Sequence, residues 1–358
     1  MKRDILCTSK RTRKPKRKHS QFLQSVITIV SGTALAELVS LCASPLVSRL
    51  YSPEEMGQLA VFVSIVTIIS VFSTLRFELV IPLVNEEREA ASALVLSLAS
   101  SVCVSLVFFF AMLFFGKHVS AALNAGDAKA FLWVVPVSSL AIGLHRTLQY
   151  WVMREKDYKR ISKTKIFQGV GKSVLQVLLG FFGFGVSGLI IGDISGQILG
   201  TRFLSVPLLR KWRVIFKGLS VSYIGSIAKK YKKFPLVSSW SALIASLSFQ
   251  LPILMITSLY GAEATGSFGF AYRIISAPML FIDRAVSQVF FSEASSLARN
   301  NPKSLNALIK GVFLKSLLIA VPVGSVFVLF GPSLFSLIFG SEWREAGEYA
   351  RILSFMIV

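Results

Sequence analysis

The 358 residues are 53% hydrophobic and only 16% charged, with a mean hydropathy of +0.65, which excludes a water-solvated globular protein. The remaining charge is one-sided, 39 Lys and Arg against 18 Asp and Glu for a net +21. A nucleic-acid-binding role would account for that excess and leave the apolar bulk unexplained.

The first 20 residues hold nine basic side chains against one acid, Asp4. Such a head looks like the start of a secretory signal. The apolar stretch that follows, Phe22 to Val47, is longer than a signal core and has no small-residue cleavage site, so it is expected to be an uncleaved first transmembrane helix. About 20 apolar residues cross the hydrocarbon core of a bilayer. Uncharged runs of that length recur at Ala90 to Gly116, Phe234 to Ala262 and Ser316 to Ser341. Spans holding one or more ionisable residues fall at Gly57 to Leu83, Ala130 to Tyr150, Ile166 to Phe182, Leu189 to Leu209 and Thr265 to Phe290. These make nine complete spans, and a tenth begins near Ala346.

Basic residues near span ends favour the cytoplasmic side. With the N-terminus inside, 27 Lys and Arg fall in inner segments and 4 in outer loops. The chain also echoes itself. Leu50-Tyr51-Ser52-Pro53-Glu54-Glu55-Met56-Gly57 is answered by Leu259-Tyr260-Gly261-Ala262-Glu263-Ala264-Thr265-Gly266, an offset of 209 residues, and Phe115-Gly116 by Phe330-Gly331. The expected architecture is an all-α polytopic membrane protein of two parallel six-helix repeats: a basic tail (1–20), an N-terminal bundle (21–210), a basic linker (211–230) and a C-terminal bundle (231–358) that stops within its fourth helix.

The stretch Ser48-Arg49-Leu50-Tyr51-Ser52-Pro53-Glu54-Glu55-Met56-Gly57, then Leu75-Arg76-Phe77-Glu78-Leu79-Val80-Ile81-Pro82-Leu83, resembles the first hairpin of bacterial polysaccharide-biosynthesis membrane proteins, the Wzx-type flippases of lipid-linked oligosaccharides. Lys229-Lys230-Tyr231-Lys232-Lys233-Phe234-Pro235 and Gln250-Leu251-Pro252 are similar to later elements of the same family, in the same order. The resemblance implies a fold shared with multidrug and toxic-compound exporters: two six-helix bundles around a central cavity. It implies a bacterial inner-membrane location, an undecaprenyl-diphosphate oligosaccharide as substrate, and the polysaccharide polymerase and chain-length machinery as partners. The family has about twice six helices, and on that count the chain is short.

Ionisable residues inside spans are costly to bury and are functional candidates on that ground. They are Glu37 in span 1, Lys172 in span 5, Asp193 in span 6, Arg273 in span 8 and Lys315 in span 9. The plainer reading is a structural ion pair, or snorkelling of the two lysines to the interface. Arg76 and Glu78 sit at the inner end of span 2, and the repeat places Arg284, beside Asp283, within one residue of the equivalent of Arg76. These arginines are expected to flank the cytoplasmic mouth, or else simply to anchor helix ends. Under the resemblance, Arg273, Arg76, Arg284, Lys172 and Lys315 become cations for the diphosphate, and Glu37, Glu78, Asp193 and Asp283 become coupling or gate carboxylates.

Other signals are weaker. Gly192-x3-Gly196-x3-Gly200 in span 6 is a close-packing stripe. The basic segments 1–20 and 210–233 lack aromatic interleaving and read as contacts to anionic lipid, with no nucleic acid. There is no Walker loop and no metal-spaced His and Cys set, and Cys7, Cys42 and Cys103 show no pairing pattern. No cofactor, metal or covalent chemistry is expected. The alternatives are a cation-coupled exporter of small amphiphiles, whose cavity should be acidic, and a membrane glycosyltransferase or polymerase, for which the outer loops are short.

Overall fold

A computed structural model describes residues 16–123, 133–215, 219–300 and 305–356, and within them the chain is helical, with no β-strand. The basic residues of the first 15 positions and the side chains of Asp283, Arg284 and Lys315 lie outside the described residues. Five stretches among the described residues are long and apolar enough to cross a membrane: Ser31–Leu50, Pro53–Ser70, Glu87–Gly116, Phe234–Ala277 and Leu308–Phe339.

Helix α1 (Lys16–Leu50) is followed after two residues by α2 (Pro53–Ser70). The start of α2 is legible in the sequence. Ser52 Oγ accepts from the Glu55 amide at 3.2 Å, the Ser52 amide donates back to Glu55 Oε2 at 2.8 Å, and Pro53 fills the first turn, where no amide is needed.

The helix does not run on to Leu83 as expected. It ends at Ser70, and Leu75 and Arg76 take left-handed backbone conformations (φ 48° and 62°), strained for side chains that carry a Cβ, before a 3-10 turn at Phe77–Val80. Two arginines hold this reversal from α4 (Val135–Arg154). Arg146 donates to the Ser70 carbonyl at 2.9 Å, and Arg154 donates to the carbonyls of Ile81 and Asn85, both at 2.9 Å, and to that of Val84. An apolar window cannot register such a turn, because the residues between 71 and 83 are as hydrophobic as those of the helix.

Helices α3 (Glu87–Leu123) and α4 are followed by α5 (Tyr158–Phe181), capped by Asp157, and α6 (Gly185–Ile215). The glycine stripe of α6 lies against α5: Cβ atoms at Gly192, Gly196 and Gly200 would meet Gln176, Gln168 and Lys172 at 2.4–2.9 Å. The expected packing role is therefore seen directly. A short amphipathic helix, α7 (Val221–Lys230), lies beside the start of α3, where Lys230 pairs with Glu89 and the Arg88 guanidinium stacks over the Tyr223 ring at 4.2 Å. The hydrogen bond to Glu89 pushes the Lys230 ammonium above its ordinary pKa.

After a π-helical turn at Phe234–Ser238 comes α8 (Ser239–Asn300), interrupted at Gly261 (φ 87°, ψ 179°), a conformation that favours glycine. The hydroxyls of Thr257 and Thr265, eight residues apart, meet at 2.8 Å, so the chain folds back sharply there and α8 consists of two arms. These are the seventh and eighth spans expected from sequence. Helix α9 (Leu305–Phe339), a 3-10 turn at Ser341–Trp343 and α10 (Arg344–Leu353) follow.

Helices α1–α2 meet α8–α10 most closely at the start of α2, and the contact with α8 runs on to Ser64 with Gln250 and to Phe72 with Trp240. A Cβ on Gly57 would stand 1.7 Å from the Ala262 carbonyl oxygen, and one on Gly266 would stand 1.8 Å from that of Pro53. Both glycines are therefore required for the crossing of α2 with α8, and the contact is reciprocal. Beside it the Trp343 indole N–H donates to the Ser48 carbonyl at 2.8 Å, and Ser48 Oγ donates to the Phe339 carbonyl at 3.1 Å. Phe270, Phe335, Phe339 and the fully buried Trp343 pack there with Val47 and Tyr51. Tyr51 donates to the Gln176 carbonyl at 2.7 Å, and burial, with Glu55 nearby, pushes its pKa up to about 12, so it remains a donor over the whole range of ordinary pH.

Candidate functional site

Beside this seal, whose Gly266 and Phe270 also face it, α1, α2, α5, α6 and both arms of α8 enclose a cavity of about 500 Å³. Four of the five intra-span ionisable residues singled out from sequence line it: Glu37 from α1, Lys172 from α5, Asp193 from α6 and Arg273 from α8. Their convergence follows from packing. The glycine stripe brings α6 onto α5, and the Gly57 and Gly266 crossing brings α8 onto α2, so ionisable groups from four helices share one space.

Lys172 and Asp193 form an ion pair, and Asp193 Oδ2 also accepts from Gln197 Nε2 at 3.4 Å. Lys172 therefore does not snorkel: a carboxylate in reach within the bundle holds it better than a distant interface does. Arg273 is exposed to the cavity, and among the described residues no ion pair within 4 Å engages it or Glu37. Glu37 lies in electrostatic reach of both Arg273 and Lys165.

Lys165 also lines the cavity and escaped the sequence reading, which counted it with the basic residues that orient the chain. Helix α5 begins at Tyr158, so Lys165 already lies two turns inside it, on the face of Gln168, Gly169 and Lys172. The 165, 168, 169, 172 spacing was the available signal. The cavity therefore holds three cations and two carboxylates, of which one pair is mutually neutralised.

Arg76 and Glu78 are not part of this cavity. Glu78 is fully buried in the turn after α2, accepting from the Thr74 hydroxyl, with Arg76 Nη1 at 3.8 Å from its Oε1. Arg76 Nε and Glu78 Oε1 have no hydrogen-bond partner among the described residues. Arg146 stands between the two regions, in electrostatic reach of Glu78 and Arg76 on one side and of Lys165 on the other.

Uncharged polar groups complete the wall: Gln168, Gln197, Gln250, Ser40, Ser64 and Thr33. Behind Gln168 the buried His145 ring meets Thr201 Oγ1 at 3.0 Å.

Comparison with known proteins places this geometry. The sequence model of the family described as Polysaccharide biosynthesis protein matches residues 46–348. Among curated proteins, the chain is 22% identical over 318 residues to the succinoglycan biosynthesis transport protein ExoT of Rhizobium meliloti, covering 87% of this chain and 61% of that protein. It is 23% identical over 256 residues to the teichuronic acid biosynthesis protein TuaB of Bacillus subtilis, covering 69% of this chain and 50% of that one. The chain thus spans between half and two thirds of the length of these relatives.

Among solved structures, it is similar to an inward-facing multidrug resistance MATE family transporter of the MOP superfamily (TM-score 0.69, 17% identity, 93% of this chain and 81% of that one). It is also similar to a MOP superfamily transporter from Pyrococcus furiosus described by the reverse polarity of its binding pocket (TM-score 0.58, 16% identity, 93% of this chain and 79% of that one). The fold is that of the MOP transporters.

Proposed function

This chain belongs to the polysaccharide biosynthesis protein family, and from that premise we propose that it is a flippase that carries a polyprenyl-diphosphate-linked oligosaccharide across the bacterial inner membrane. The observation that carries the reading is the cavity shared by Arg273, Lys165 and Glu37. An arginine fork and a lysine point charge suit the oxygens of a diphosphate, and Glu37 is their counter-ion while the cavity is empty. A cation exporter would need the opposite balance of charge.

In this reading the seal at Ser48, Trp343 and the Gly57 and Gly266 crossing closes the outer end, and the N-terminus is cytoplasmic. The reciprocal contact of positions 53 and 57 with 262 and 266 supports two homologous halves, since the offset of 209 residues aligns the same four positions. Arg76 and Arg284 flank the cytoplasmic mouth, Glu37 or Asp193 couples transport to an ion gradient, and no covalent chemistry is involved. The basic segments meet anionic lipid, and the polymerase and chain-length machinery receive the product.

The test is translocation of undecaprenyl-diphosphate-linked oligosaccharide between leaflets of vesicles containing the purified chain. A hydrogen bond to a charged group contributes about 1.5–3 kcal/mol, so Arg273→Gln should slow translocation roughly tenfold or more at equal protein content. Translocation no faster than in protein-free vesicles would overturn the reading.

A further inference from the structure

We propose that Gln168, Gln197 and Gln250 form a saccharide-reading wall in this cavity, separate in role from its cations; the proposal rests on the flippase reading. Each carboxamide has one end committed to the protein. Gln197 Nε2 donates to Asp193 Oδ2 at 3.4 Å, and since a carboxylate only accepts, the amide orientation is fixed with Oε1 turned away. Gln250 Oε1 accepts from Ser64 Oγ at 2.9 Å, which leaves the Nε2 hydrogens unused.

Gln168 is set by a longer chain. Thr201 spends its hydroxyl proton on the Gln197 backbone carbonyl at 2.8 Å, so at its 3.0 Å contact with His145 Nδ1 it is the imidazole that donates. Gln168 Nε2 stands 3.3 Å from each ring nitrogen, and the Gln149 side chain also bonds the ring; with Nδ1 donating, Nε2 is the acceptor open to Gln168 in the neutral ring. Gln168 is therefore held with Oε1 outward, and its stem packs against Gly200, where a Cβ would come within 2.4 Å of it.

Three free ends remain: the acceptors Gln168 Oε1 and Gln197 Oε1, and the donor Gln250 Nε2. No described residue bonds to them, and none is a buried orphan, so they face the open cavity. Their chemistry selects the ligand. A diphosphate only accepts and gains nothing from two carbonyl oxygens. An alkylammonium would satisfy those oxygens and leave the Gln250 N–H groups unpaired. A sugar hydroxyl both donates and accepts, so a polyol can satisfy all three. Sites of this kind reject analogues lacking the hydroxyls because their polar groups are then left without partners.

The experiment compares binding of bare undecaprenyl diphosphate with that of a panel of undecaprenyl-diphosphate-linked neutral trisaccharides, using the full chain in nanodiscs. The wild type should bind the best glycosylated lipid about tenfold or more tighter than the bare carrier. The triple variant Gln168→Met, Gln197→Met, Gln250→Met should bind both equally, at the wild-type affinity for the bare carrier, which also shows that it is folded. Gln250→Met alone should lose part of the preference.

A triple variant that keeps the preference, or a wild type that binds the carrier and ignores the sugar, overturns the saccharide wall and leaves the flippase reading standing. A wild type that binds neither lipid overturns the flippase reading, and this inference with it.

Discussion

Removing Asp193 alone leaves Lys172 as an unpartnered ammonium in the cavity wall, whereas removing both leaves an apolar contact between α5 and α6. Breaking one side of a fully buried pair costs about 3–5 kcal/mol, while replacing both by apolar groups is often neutral. Here the side chains keep 27% and 14% of their exposure, so the cost is smaller but has the same sign. Asp193→Ala should therefore lower the thermal unfolding midpoint of the detergent-purified protein by more than the Lys172→Leu, Asp193→Leu double variant does. A double variant less stable than the single would show that the pair contributes net stability. The sequence marked both residues as costly and could not join them, because they are 21 positions apart and meet only through the glycines of α6. Lys165 was the converse case: its charge was visible, and the start of α5, which turns it inward, was not.

At the scale of elements, the helix crossings rest on missing side chains. Inserting atoms where backbone already lies costs about 1–3 kcal/mol or more through strain and displacement. A Cβ at Gly57 would overlap the Ala262 carbonyl, whereas one at Gly116 would meet nothing within 4 Å. Gly57→Ala should lower the unfolding midpoint by several degrees and slow transport, and Gly116→Ala should change neither. Equal effects would mean that intrinsic helix propensity, and not the crossing, governs both sites. The break at Gly261, next to the span boundary expected after Ala262, and the cap at Ser52, which a span beginning at Gly57 fell short of, have local causes in a glycine conformation and a capping box. The boundary it missed, the end of α2 at Ser70, is held by Arg146 and Arg154 from a helix about 70 residues away.

For the molecule as a whole, the cavity adjoins the seal, since Gly266 and Phe270 belong to both, so on the proposed reading access from the sealed end should depend on Trp343. In a background lacking Cys7, Cys42 and Cys103, a cysteine introduced at Ser40 should react slowly with a membrane-impermeant thiol reagent added from the outer side. Trp343→Phe keeps the ring and deletes the N–H that bonds to the Ser48 carbonyl, and should raise that labelling rate several-fold. An unchanged rate would place the closure elsewhere, in the glycine crossing alone.

The sequence by itself determined that the chain spans a membrane as a bundle of helices and which family pattern it follows, because bilayer thickness and the cost of buried charge act on each span independently. It also flagged Glu37, Lys172, Asp193 and Arg273, since each is expensive wherever its helix goes. Only the tertiary structure decided that these four share one cavity, that Lys172 and Asp193 neutralise each other, that Arg76 and Glu78 lie in a separate strained turn, and that three glutamines line the same cavity. Those outcomes depend on which helix faces lie against each other, a choice made by close glycine contacts between segments as much as 213 residues apart in the chain.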